Sequence, residues 1–186
     1  MARENTTRFA ILGMLSLQPM SGYDIKQHAE NTIAHFWNES YGQIYPVLKA
    51  LAADGLAREL PEGQGGGRAN RRVYEITPAG QEALRTWLME DSTAPRVRSE
   101  ILLKVFFGRQ IGAAAMAERL RAFIPQIEAK LKVFAGIEQM LERDSTPDQP
   151  YWMITLRQGI LGHQSHLAWL KESIARLEVV AARETT

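Results

Sequence analysis

Apolar residues recur at helical spacing through most of the chain and alternate in one short stretch. Phe9, Ile11, Leu12, Leu15 and Leu17 are apolar and Pro19 stops the run, which predicts a short buried helix over 7–17. Ser21 with Asp24 resembles a capping box with a shortened acid, and Ile25, Ala29 and Ile33 form one stripe, so a second helix runs to about Ala34. A third helix is predicted from Ser40, where Ser40 and Gln43 make another capping pair. Ile44, Val47, Leu48 and Leu51 follow at helical spacing, with Gly55 where a left-handed cap belongs. Pro46 falls near the first turn, where a missing N–H costs little.

The period then changes. Leu56–Leu60 reads as a strand, the four glycines within Gly63–Gly67 as a flexible turn, and the alternating Arg71–Ile76 as the return strand of a β-hairpin. Thr77 and Pro78 open another helix as N-cap and first residue, carrying Leu84, Trp87 and Leu88. Asp91–Pro95 reads as a linker, dividing the chain into 1–92 and 93–186. All that follows is helical in pattern: Arg96–Phe107, with Val97, Ile101, Leu102, Val105 and Phe106 on one side; a long stretch from about Gly112 to Arg143 that Pro125 should kink or divide; a turn over Asp144–Pro150; and a last helix from about Tyr151 to Ala182.

Composition narrows the functional classes. With 186 residues, 45% of them hydrophobic and 23% charged, the chain should fold and be soluble. It has no cysteine, which removes disulfides, zinc fingers and thiol catalysis and fits a reducing, cytoplasmic setting. No apolar run reaches the roughly 20 residues of a membrane helix, and Met1–Thr7 lacks a signal core. A net charge of +1 argues weakly against nucleic acid, yet Arg68, Arg71 and Arg72 cluster beside the glycine run. No phosphate-loop motif occurs, and the carboxylates carry no catalytic pattern, so an enzyme is not expected and no cofactor is implied.

Three helices, a hairpin and a fourth helix make a winged helix-turn-helix: a mainly α fold with a two-stranded β wing, followed by a helical second domain. In that arrangement the third helix reads DNA and the wing touches its backbone. Ser40, Tyr41, Gln43 and Tyr45 stand near the start of the third helix as groups able to reach base edges, and Lys49 follows on the same general face to reach a phosphate. Arg68, Arg71 and Arg72 supply the wing with phosphate or minor-groove contacts, although in an alternating strand Arg71 and Arg72 face opposite sides. Of this set Tyr45, beside Ile44 and Pro46, best suits a structural place. Tyr23, Trp37 and Trp87 read as core aromatics.

The segments "AILGMLSLQPMSGYDIKQ" (10–27), "FWNESYGQIYPVLKALAADGLARE" (36–59) and "GRANRRVYEITPAGQEALRTWL" (67–88) resemble, in this order, the DNA-binding half of the PadR family of transcriptional regulators. The stretch "RSEILLKVFFG" (98–108) and the final helix with Trp169 are similar, more loosely, to the family's helical C-terminal domain. Ala69 stands where many relatives carry proline. The resemblance implies a homodimer on double-stranded DNA, an inverted-repeat operator, and repression relieved by a small effector.

The second half offers fewer handles. Trp152, Met153, His163 and Trp169 read either as the lining of an aromatic ligand pocket or as packing at a dimer interface. His163 and His166, three apart, are half of a metal site without further ligands, so no metal is expected. Two alternatives stand beside the regulator: a ligand-sensing or adaptor protein of the same fold without DNA binding, favoured only by the near-neutral charge, and a small helical enzyme using the histidines, for which no substrate suggests itself.

Overall fold

Helix α1 (Ala2–Leu17) begins five residues before the predicted start. Ala2, Arg3 and Glu4 are good helix formers, but a polar first turn has no apolar period to betray it. The computed structural model describes residues 2–37, 41–61, 71–92 and 98–184. The chain divides into two units, Met1–Ala94 and Pro95–Thr186.

In the first unit, Pro19 ends the helical region, and Met20–Ser21 runs extended as strand β1. Helix α2 (Gly22–Thr32) then starts from a complete capping box. The Asp24 N–H donates to Ser21 Oγ at 3.3 Å, and the Ser21 N–H donates to Asp24 Oδ2 at 3.0 Å. Ile25 and Ala29 are buried as the stripe predicts.

Helix α3 (Ile44–Ala53) departs from the predicted start at Ser40. A 3-10 turn over Tyr41–Gln43 precedes it, and Gln43 is its N-cap with no side-chain capping bond. Pro46 explains the shift. A helix capped at Ser40 would put Pro46 in its interior, where the ring clashes with the carbonyl four residues back. Starting at Ile44 places it third, where the N–H has no helical partner anyway. At the other end Gly55 takes φ +72° beyond the cap, as the pattern requires.

Strands β2 (Ala57–Glu59) and β3 (Val73–Ile76) pair antiparallel, with Arg58 facing Glu75 in register and ion-paired to it. The hairpin is not alone. β1 pairs antiparallel with the other edge of β3, Met20 opposite Tyr74, giving a three-stranded sheet of order β1-β3-β2 where two strands were predicted. A two-residue strand has no alternation to read, which is why it was missed. The Gly63–Gly67 turn lies outside the described residues.

Thr77 fastens helix α4 (Pro78–Leu88). Its hydroxyl accepts from the Gly80 N–H (3.1 Å) and donates to the Gly55 carbonyl (2.7 Å), joining the start of α4 to the end of α3. Gly80 is buried against the Leu56 carbonyl. Trp87 lies flat on Phe9, centroids 4.8 Å apart. Leu12, Leu48 and Leu51 are fully buried at the centre of this unit, each stabilising it by about 1.5–3 kcal/mol.

In the second unit, helix α5 (Glu100–Phe106) is shorter than predicted and is capped by Ser99, whose hydroxyl accepts from the Leu102 N–H at 3.3 Å. Only Ile101 and Val105, four apart, pack inward. Leu102 and Phe106, about 100° further round the helix, are exposed, so the wide apolar side predicted here narrows to two residues. Val97 lies outside the described residues. A 3-10 turn over Gly108–Ile111 leads to α6 (Ala113–Arg121) and α7 (Ile124–Leu141), divided as Pro125 demands, since it stands second in α7. Both pack on α8 (Gln149–Glu184) through two clusters, one around Met116, Leu120 and Leu170, the other around Phe134, Leu156 and Ile160. Gly112 cannot cap α6 with a side chain. The Glu184 carboxylate, 71 residues on, instead accepts from the Ala113 N–H at 3.4 Å.

Among the described residues no helix is long and apolar enough to cross a membrane.

Candidate nucleic-acid interface

The core phase of α3 decides what its outer face presents. Ile44, Val47, Leu48 and Leu51 face inward, so Tyr45 and Lys49, one turn apart, share the face turned away. Tyr45 is 59% exposed, and its ring lies over Gly22 at the start of α2. The structural place predicted for Tyr45 is therefore replaced by a surface one. Ser21, Gly22, Tyr45, Lys49, Arg71, Arg72 and Tyr74 line a groove of about 450 Å³.

Arg71 and Arg72 do not face opposite sides. The pleat begins at Val73, so both precede it and both line the same groove. The Arg71 guanidinium sits 4.1 Å from the centroid of the Tyr23 ring, and its Nη1 is 3.7 Å from Asp24 Oδ1. Arg72 Nε is 3.5 Å from Glu59 Oε1. Lys49 has no ion-pair partner among the described residues. Exposed pairs of this kind contribute at most about 1 kcal/mol, so an incoming anion displaces them at little cost. Three cations line this concavity with two carboxylates, Asp24 and Glu59, beside them, so its excess positive charge is that of Lys49.

Tyr23 corrects the prediction of a core aromatic. It is 46% exposed and packs under Arg71. The signal was present in the stripe: two positions before Ile25 is about 200° round a helix, opposite the core. Trp87 is partly buried in its stack on Phe9, and Trp37 lies partly buried beside Ile33 and Ile44. Gln43 is exposed at the entrance of α3 but borders a small apolar crevice with Trp37 rather than the groove. Ser40, the Tyr41 side chain and Arg68 lie outside the described residues. Gly22 and Tyr74 line the groove without having been singled out; a bare glycine in a capping box and a strand tyrosine carry no mark of their own.

Chemically the groove offers donors and aromatic faces. Guanidinium, ammonium and phenol groups suit oxyanions and base edges. Among the described residues no group of three or more His, Asp or Glu is gathered as a metal site.

The second-unit candidates do not converge within one protomer. Trp152 and Trp169 lie 17 positions apart on α8, about 25 Å along the axis. His163 Nδ1 is 2.8 Å from the Gly159 carbonyl, and its ring meets Phe134 edge-on at 5.2 Å. Trp169 packs on the Met116–Leu120 cluster, with His166 edge-on at 5.4 Å.

Comparison with known proteins covers both units. Residues 11–86 match the family described as "Transcriptional regulator PadR-like family", and residues 97–178 match "Virulence activator alpha C-term". The negative transcriptional regulator PadR of Bacillus subtilis is 26% identical over 92% of this chain and 97% of its own. Its crystal structure with operator DNA superposes with a TM-score of 0.81 at 26% identity, covering 92% of this chain and 99% of that one. The structure of the same protein with p-coumaric acid gives 0.76 at 25% identity, over 92% and 98%. The Vibrio cholerae virulence activator AphA gives 0.73 at 26% identity, over 94% and 99%. On the fold, the order of its elements and these matches along nearly its whole length, the chain belongs to the PadR-like family of transcriptional regulators.

Proposed function

We propose that the protein is a cytoplasmic, homodimeric repressor that binds an inverted-repeat operator through its first unit and is released by a small aromatic effector. The observation that carries this reading is the groove where Tyr45 and Lys49 of α3 meet Arg71 and Arg72 at the root of the wing. In this reading α3 enters the major groove. Gln43, Tyr45 and the preceding Ser40 and Tyr41 address bases, while Lys49, Arg71, Arg72 and Arg68 of the wing hold phosphates. Two such units on a two-fold axis would meet successive major grooves, about 34–36 Å apart.

The second unit supplies the partner contact. Leu103, Phe106 and Phe107 are exposed on and just after α5, and Tyr151, Ile154 and Leu161 along α8, large apolar side chains that a second copy would cover. Repression is assigned by likeness to the Bacillus negative regulator, and an aromatic effector by that protein's complex with p-coumaric acid. Trp152, His163 and Trp169 are the side chains we assign to effector contact. Because they do not meet in one protomer, the site we propose draws on both copies. An effector acts only if it binds the two poses of the dimer unequally.

The test is fluorescence anisotropy of the purified protein on DNA from upstream of its own gene, with and without a phenolic acid. Binding that the acid weakens is expected. Binding that is strong, specific and blind to every aromatic acid tried would sink the effector assignment and leave the DNA reading standing.

A further inference from the structure

The Arg71 guanidinium is held on two sides by the first turn of α2. Tyr23 lies against one face, 4.1 Å from ring centroid to guanidinium carbon, and Asp24 Oδ1 stands 3.7 Å from one edge. The capping box sets the Asp24 carboxylate. Its Oδ2 accepts from the Ser21 N–H at 3.0 Å and the Ser21 hydroxyl at 2.6 Å, leaving Oδ1 turned to Arg71. Tyr23 is not there to fill the core, since it projects from the far side of α2.

An arginine at the end of a strand samples many rotamers, and fixing one on binding costs affinity. A ring on one face and a carboxylate at the edge select a pose beforehand. At 3.7 Å the carboxylate is an ion-pair neighbour and not a hydrogen-bond acceptor. Among the described residues the Arg71 guanidinium donates no hydrogen bond, so its donors stay available to the groove. We infer that Tyr23 is a positioning residue for DNA binding. Its ring orders Arg71 for a phosphate, and it acts through Arg71 without touching DNA itself. The inference rests on the groove being the DNA interface.

A double-mutant cycle on the full chain tests it, using anisotropy with a labelled mixed-sequence duplex of about three helical turns at one low salt concentration and thermal melts to verify folding. Tyr23→Leu is expected to weaken binding roughly 3-fold, in line with an exposed cation–π contact. Tyr23→Gln, a second ringless variant and a good helix former, should do the same. Tyr23→Phe should bind like the wild type, because the ring and not the hydroxyl does the positioning. In an Arg71→Ala background Tyr23→Leu should change nothing further. An equal loss in both backgrounds, a loss in Tyr23→Phe as large as in Tyr23→Leu, or no loss in either ringless variant overturns the inference while leaving the DNA reading intact. Failure of the wild type to bind any duplex overturns both.

Discussion

A β-carbon built on Gly22 would lie 2.7 Å from Cε1 of Tyr45, so the tyrosine ring rests where only a glycine lets it. The ring belongs to an exposed side chain that turns about its own bonds, whereas the backbone of α2 is fixed by its capping box. A side chain at Gly22 would move Tyr45 and leave the helix in place. Gly22→Ala should therefore leave stability unchanged or raise it by about 0.5 kcal/mol, with the melting temperature following, yet weaken DNA binding several-fold. Paired melts and titrations check this. A variant that melts early but binds normally would contradict it.

Gly80 is the opposite case. A β-carbon there would stand 2.0 Å from the Leu56 carbonyl oxygen, part of a backbone that also accepts from the Thr77 N–H at 3.1 Å. Neither side can swing aside. Gly80→Ala should cost about 1–3 kcal/mol in urea unfolding. A neutral outcome would mean that α4 does not pack on the α3–β2 connection as closely as described.

The cations of the groove and wing differ from Gln43 in what they should do. Arg71→Ala, Arg72→Ala and Arg68→Ala should each lower affinity for all DNA alike and reduce the slope of log K against log salt by about 0.9. Gln43→Ala should leave that slope and narrow the gap between operator and random DNA. Slopes unchanged in all three arginine variants would remove the wing from the interface.

The exposed side chains of the second unit lead to a prediction about mass. Sedimentation equilibrium should return twice the 20.9 kDa of one chain at micromolar concentration. A single-chain mass there would leave Phe106, 80% exposed, and its neighbours in water and would require another account of them.

Much of the first unit was legible because its signals are local. Ser21 with Asp24, Thr77 with Pro78, and Gly55 each mark a helix end with one or two residues, and the structure realises all three. Tyr23 was misread by residue type, where the phase of Ile25 and Ala29 placed it outside. Arg71 and Arg72 were separated by assuming a pleat that starts only at Val73. The start of α3 was misplaced because two capping residues were weighed above Pro46. Strand β1 and the capping of α6 by Glu184 depend on residues tens of positions apart, which no local pattern records. The second unit is read least well, since its apolar stripes say that something is buried and not against what.

The most direct test of the central claim is the salt dependence of binding to DNA from upstream of the protein's own gene, measured by anisotropy beside random DNA of equal length. The account predicts tight binding that prefers the upstream sequence and falls steeply as salt rises. A folded dimer with no salt-dependent affinity for either DNA would contradict it and leave an adaptor of the same fold.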